Sequence, residues 1–184
     1  MNLDIIYRRR SIRRYTNRPV APELVSELLR AAMSAPSAGN EQPWQFVVIT
    51  RRELLDRIPD LHPHAGMTRE AQLAILVCGD LHREKHEGFW VQDCSAATEN
   101  LLLAAAGLGL GAVWCGVHPR REREEGLRSL LGIPRHVVPF ALIPIGWPAE
   151  EKGSSDRYDA SRVHYDGWGN QACSDISPRG RKEV

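Results

Sequence analysis

The spacing of apolar residues changes along the chain, and the changes mark its elements. Leu24, Leu28 and Ala32 recur beside Val25, Leu29 and Met33, the stripe of a helix that buries one face. Pro22 suits its first turn and Pro36 stops it. A short helix over residues 2–9, starting from Asn2, precedes it. Residues 44–50, 73–78, 112–117 and 137–145 are rich in β-branched and aromatic side chains and read as four strands. Between the second and third, residues 89–108 carry Ala, Leu and Cys on nearly every side, as a deeply buried central helix does. A further helix over 122–131 ends near Gly132 and Pro134. After Trp147 the apolar density collapses. A segment that polar cannot form a core of its own, so it is either disordered or laid across another surface.

Composition narrows the class. A chain of 184 residues, 42% hydrophobic and 26% charged, is that of one ordinary globular domain. Its net charge of +1 gives no general attraction to nucleic acid or anionic lipid, so neither is expected as a partner. The longest apolar stretch, 101–114, is shorter than the ~18 residues of a membrane span and is interrupted by glycines. No apolar run precedes Arg8 as a secretory signal would. The expected setting is cytoplasmic, without membrane. Cys78, Cys94, Cys115 and Cys173 form no C-x-x-C pair, and the first three lie in apolar segments, so they read as reduced and structural.

Two stretches carry chemistry. Arg8-Arg9-Arg10-Ser11-Ile12-Arg13-Arg14-Tyr15 places five arginines in seven positions, where clustered guanidinium forks and a hydroxyl suit a phosphate dianion. The same residues equally suit a solvated basic turn. In Ser34-Ala35-Pro36-Ser37-Ala38-Gly39-Asn40-Glu41-Gln42-Pro43-Trp44, small side chains let backbone amides approach a flat ligand. Asn40 and Gln42 offer both donors and acceptors to a heteroaromatic edge, while a plain connecting loop is the other reading. Gly107-Leu108-Gly109-Leu110-Gly111-Ala112 matches G-x-G-x-x-A, but it leaves a helix and enters a strand, the reverse of the dinucleotide fingerprint. His82 and His86 stand one helical turn apart with no third ligand evident nearby, so they read as surface and no metal is expected.

Taken together, Arg9-Arg10-Ser11-Ile12-Arg13 and Pro36-Ser37-Ala38-Gly39-Asn40-Glu41-Gln42-Pro43-Trp44 resemble the R-R-S-x-R and P-S-x-x-N-x-Q-P-W segments of the nitroreductase family, in the same order and at the same separation. The resemblance continues through Leu108 to Gly116, through Ile145-Gly146-Trp147-Pro148-Ala149-Glu150, and to Arg157 and Arg162-Val163-His164. It implies an α+β flavin fold with a central mixed or antiparallel sheet flanked by helices. It also implies an intertwined homodimer with FMN at the interface, and two-electron transfer from NADH or NADPH to a small-molecule acceptor. By the same resemblance Arg9, Arg10, Ser11 and Arg13 meet the phosphate, the ribityl chain and the N1/O2 side of the ring. Pro36, Ser37, Ala38, Asn40 and Gln42 pack on the ring from the other subunit, Trp114, Cys115 and Gly116 lie near N5, and Arg157 binds phosphate.

Residues 1–168 are thus expected to form the FMN-binding domain and 169–184 a C-terminal tail, the polar C-terminal segment wrapping the partner. Two departures from the family pattern remove positive charge: Ser155 replaces a common lysine, and His64 and Met67 stand where longer relatives carry Asn and Lys. The segment before the central helix is where the family varies its lid, which makes Phe89 and Trp90 candidates for the substrate pocket. No side-chain pair for nucleophilic or acid–base catalysis stands out, as is natural where the ring itself takes and gives the hydride. The same scaffold also serves reductive dehalogenation, flavin breakdown, and flavin storage or sensing without turnover.

Overall fold

The computed structural model describes residues 3–171. The chain divides into two compact units, Met1–Ser154 and Ser155–Val184. The first contains α1 (Asp4–Arg8), α2 (Pro22–Met33), β1 (Trp44–Ile49), α3 (Arg52–Leu61), β2 (Leu73–Asp80), α4 (Trp90–Gly107), β3 (Gly111–Ala112), β4 (Cys115–Gly116), α5 (Arg121–Leu131) and β5 (Val137–Gly146). The sheet order is β1-β2-β5-β3, with β4 also on β5, and each of these pairings is antiparallel. The architecture is α+β, as the sequence implies.

β2 lies at the centre and is buried on both faces, which explains its unbroken apolar run. Leu73, Ile75 and Val77 join a core with Leu28 and Ala32 of α2 and with Cys94, Ala97 and Leu101 of α4. Ala74, Leu76 and Cys78, one residue out of phase, join a second core with Leu55 and Ile58 of α3 and Leu127 of α5. The period-2 alternation of one strand thus sorts its side chains between two helical layers. α4 buries most of its faces as the inner helix of its layer, leaving Gln92 and Glu99 exposed. Thr98, buried in it, satisfies its hydroxyl on Cys94 O at 2.7 Å.

The structure corrects the sequence reading in three places. The strand expected over 112–117 is two short ones. Ala112 pairs with Ile145 and Cys115 with Leu142, so Val113 falls opposite Pro144, which has no N–H to give to a ladder. A helix, α3, forms where none is expected. Pro59 sits in its last turn, and Leu55 and Ile58 bury the helix face that decides the outcome. α1 is shorter than 2–9, and Asn2 lies outside the described residues.

The glycine run behaves as its context requires: α4 ends at Gly107, Gly109 takes φ +74°, and β3 begins at Gly111. In the second unit, Asp159 caps the turn Ala160–Arg162 and the His164 ring lies 4.3 Å from that of Trp168. Cys173 and the tail from 172 onward lie outside the described residues.

Candidate functional site

After α1 the chain runs extended along the sheet edge. Ile12 N donates to Ala112 O at 3.0 Å, and isolated bridges join Ser11 to Ala112 and Tyr15 to Pro148. Ile12 and Tyr15 are buried, and the Tyr15 hydroxyl donates to Ile12 O at 2.7 Å. Burial pushes that hydroxyl well above the ordinary tyrosine value, so it stays protonated as a structural donor. Anchored by these two residues, the segment distributes its arginines to different places.

Arg9 Nε lies 3.5 Å from Glu99 Oε1 on α4, and Arg14 pairs with Glu70. Arg10 donates to Gly153 O and lines a depression shared with Arg8, Lys152 and Ser154. Lys152 Nζ reaches Ser11 O at 2.7 Å and Glu150 Oε1 at 3.1 Å. The Arg13 backbone N–H donates to Glu150, while its side chain lines a cavity of about 440 Å³. Sequence reasoning missed Lys152, three residues before Ser155.

That cavity brings Arg13 together with Trp114, Cys115 and Gly116, as expected, and with His64 and Met67. It adds Val113 and two polar residues that sequence reasoning missed, His62 and Arg123. His62 is 1% exposed, its Nε2 lies 2.9 Å from Gly116 O, and Arg123 donates to the same oxygen at 2.7 Å. Since a carbonyl only accepts, Nε2 carries the proton of the neutral ring. Desolvation chiefly, and Arg123 nearby, hold the His62 pKa below 6.5. Cys115 is pushed up to about 11 by burial, against the pull of Arg13 and Arg123, so it is a neutral thiol rather than a nucleophile. No spacing rule links 62, 116 and 123; only the topology joins them.

The loop before β1 is built separately from this cavity. Gly39, Asn40 and Gln42 all have φ between +50° and +56°, a strained run for two non-glycine residues. It is held from several sides. Ala38 N donates to Asp93 Oδ1 at 3.0 Å, Gln42 N to Ser37 Oγ and Gln42 Nε2 to Asn40 Oδ1, both at 3.0 Å, and Arg83 Nε to Gln42 O at 3.1 Å. Glu41 turns inward and accepts from His86 N at 3.0 Å. Neither this loop nor Pro36 lines the cavity around Arg13, and Arg157 belongs to the second unit.

Of the lid candidates, Phe89 is 44% exposed, but Trp90 is core. Its ring packs 5.9 Å from that of Phe140 and directly over Gly79, where a Cβ would have no room. The two histidines before the central helix, His82 and His86, part company. His86 meets Glu41, whereas His82 stacks on His136 at 4.0 Å with Asp80 nearby. A third potential ligand is therefore present. However, rings parallel to within 2° hold their in-plane lone pairs in separate planes, which do not converge on one ion.

The sequence profile described as the nitroreductase family matches residues 6–63 and 61–147. The chain belongs to the nitroreductase family. It is 52% identical over 166 residues to a Methanothermobacter thermautotrophicus protein provisionally named NADH dehydrogenase/NAD(P)H nitroreductase, with 90% of this chain and 87% of that one covered. A crystal structure of a Parabacteroides distasonis protein with the same provisional name has a TM-score of 0.87 at 42% identity, covering 90% of this chain and 98% of the other. A Desulfovibrio desulfuricans nitroreductase, provisionally so named and crystallised in complex with FMN, matches with a TM-score of 0.74 at 37% identity over 85% of this chain and 91% of its own. The nitroreductase fold and family are thus shown by both sequence and structure.

Proposed function

We propose that the protein is an FMN-dependent oxidoreductase that passes two electrons from NADH or NADPH to a nitro compound, a quinone or a similar small acceptor, and that it works as a homodimer. The observation that carries this reading is the cavity walled by Trp114, Cys115 and Gly116. Two guanidinium groups line it and, among the described residues, no carboxylate does. Such a cavity suits a planar ligand whose edge is rich in oxygen and gains negative charge. The names of the relatives, which include NAD(P)H and FMN, supply the rest.

FMN, when bound, supplies the hydride chemistry; the chain supplies position, charge and water exclusion. Arg13 serves the N1/O2 side, and Trp114, Cys115 and Gly116 border N5. Arg9, Arg10, Ser11 and Arg157 serve the phosphate and ribityl chain, and Lys152 adds the cation that Ser155 withholds. The loop residues Pro36, Ser37, Ala38, Asn40 and Gln42 pack on the ring of the partner subunit, a reading supported by their separation from the cavity of their own chain. Residues 1–168 form the flavin-binding domain, and the polar segment after Trp147 lies across the partner. If bound FMN leaves one face of its ring open, donor and acceptor would use the same space in turn, and the kinetics would be ping-pong.

Reconstitution tests this reading. The apoprotein should take up FMN in preference to FAD, with one FMN per chain by mass after heat release, and should remain dimeric by light scattering on dilution. A stable flavin-loaded monomer contradicts the dimer, and selective uptake of FAD contradicts the cofactor.

A further inference from the structure

We infer that Arg123, on α5, is a second cation of the flavin site, placed to meet the pyrimidine edge of FMN and to favour its reduced form. The inference rests on the FMN reading above and extends it to a residue outside both sequence motifs.

A helix ordinarily quenches an arginine with a carboxylate three or four positions away. Arg123 has none, because those positions are Pro119, Arg120, Gly126 and Leu127. Its acidic helix neighbours are turned elsewhere, Glu124 to His118 at 2.8 Å and Glu125 to Arg128 at 3.4 Å. One guanidinium nitrogen of Arg123 is fixed on Gly116 O. Among the described residues no bond engages its other two nitrogens and no ion pair neutralises it.

A half-buried, unpaired guanidinium is costly unless a ligand completes it. Arg13, which lines the same cavity, is exposed, and its side chain likewise has no carboxylate partner among the described residues. Both arginines line the same cavity beside Cys115 and His62, and no carboxylate among the described residues lines it with them. The ligand that fits is a planar group with carbonyl oxygens and a nitrogen that becomes anionic. When a hydride leaves NAD(P)H, giving NAD(P)⁺, and adds at flavin N5, the electron pair it brings places negative charge at N1 and the C2 carbonyl. Two fixed cations at that edge bind the reduced state more tightly than the oxidised one. Arg123 thus restores, from a different element, the charge that His64 and Met67 do not carry.

The test is the midpoint potential of bound FMN in Arg123→Gln and Arg123→Met, together with the Kd of oxidised FMN. Both neutral variants should loosen the reduced flavin at least about tenfold more than the oxidised one, a fall in potential of about 30 mV for this two-electron couple. Arg123→Lys should recover most of it. An unchanged potential with both forms weakened equally leaves Arg123 as a support for Gly116 and overturns the inference. Phenylglyoxal labelling of the wild type gives a second readout that needs no variant. Arg123 should be modified in apoprotein and protected by FMN, and equal labelling in both overturns the inference. If the wild type takes up no FMN at all, the flavin reading itself has failed.

Discussion

Replacing Gly111 with alanine should dislodge the arginine segment from the sheet. A Cβ on Gly111 would lie 2.6 Å from Ile12 Cγ2 and 2.9 Å from Ile12 Cβ, about 1 Å inside an ordinary carbon–carbon contact of ~3.5–4.0 Å. Ile12 cannot swing away, since its χ1 is stiff and its Cβ is rigidly placed by a backbone whose N–H donates to Ala112 O. Relief requires the segment carrying Arg9, Arg10 and Arg13 to move off β3. Overpacking of this kind costs about 1–3 kcal/mol, and loss of the hydrogen bond about 1 more. Denaturant unfolding should show a destabilisation of about 2–4 kcal/mol at unchanged m-value, with weaker FMN uptake in the same variant. Gly116→Ala, where nothing lies within 4 Å of the added carbon, should stay within about 1 kcal/mol of wild type. A Gly111→Ala protein as stable as wild type would refute the docking of this segment.

Three further outcomes follow from particular groups. Arg9→Ala should weaken FMN binding by about 1.5–3 kcal/mol in a titration, yet lower stability by no more than about 1 kcal/mol, since its partner Glu99 is 48% exposed; unchanged affinity would remove Arg9 from the phosphate site. Because burial depresses the His62 pKa in the folded state, the unfolded chain takes up that proton first as pH falls. The His62 contribution is therefore complete above the ordinary value of 6.5 and declines below it, and His62→Gln should flatten that limb of a stability–pH profile. Cys78, Cys94 and Cys115 are buried with raised pKa values, so a Cys173→Ser variant should react with a thiol reagent only on unfolding; fast reaction in the native state would contradict their burial.

What the sequence made legible was whatever had a local period or a contiguous motif. The stripe on α2, the apolar run of β2 and the helix-to-strand direction of the glycine run each announced themselves within a short window. The arginine segment and the loop were legible as candidates for the same reason. α3 was not, because Pro59 signals a break locally and only the burial of Leu55 and Ile58 overrides it. The gap between β3 and β4 was hidden too, since it depends on Pro144 in a strand thirty residues away. His62, Lys152 and Arg123 were invisible as site residues for the deepest reason: each sits among other charged or polar residues, and only the fold brings it to Gly116 or Ser11. Trp90 erred in the opposite direction, an aromatic residue near a lid that the close approach to Gly79 claims for the core.

Anaerobic mixing of the FMN-loaded protein with NADH, and separately with NADPH, in a stopped-flow spectrometer tests the central claim most directly. At least one donor should bleach the oxidised flavin fully at one equivalent per site, and a quinone or nitro compound added afterwards should restore the colour. A flavin that neither nucleotide reduces would contradict the assignment of the protein as an NAD(P)H oxidoreductase.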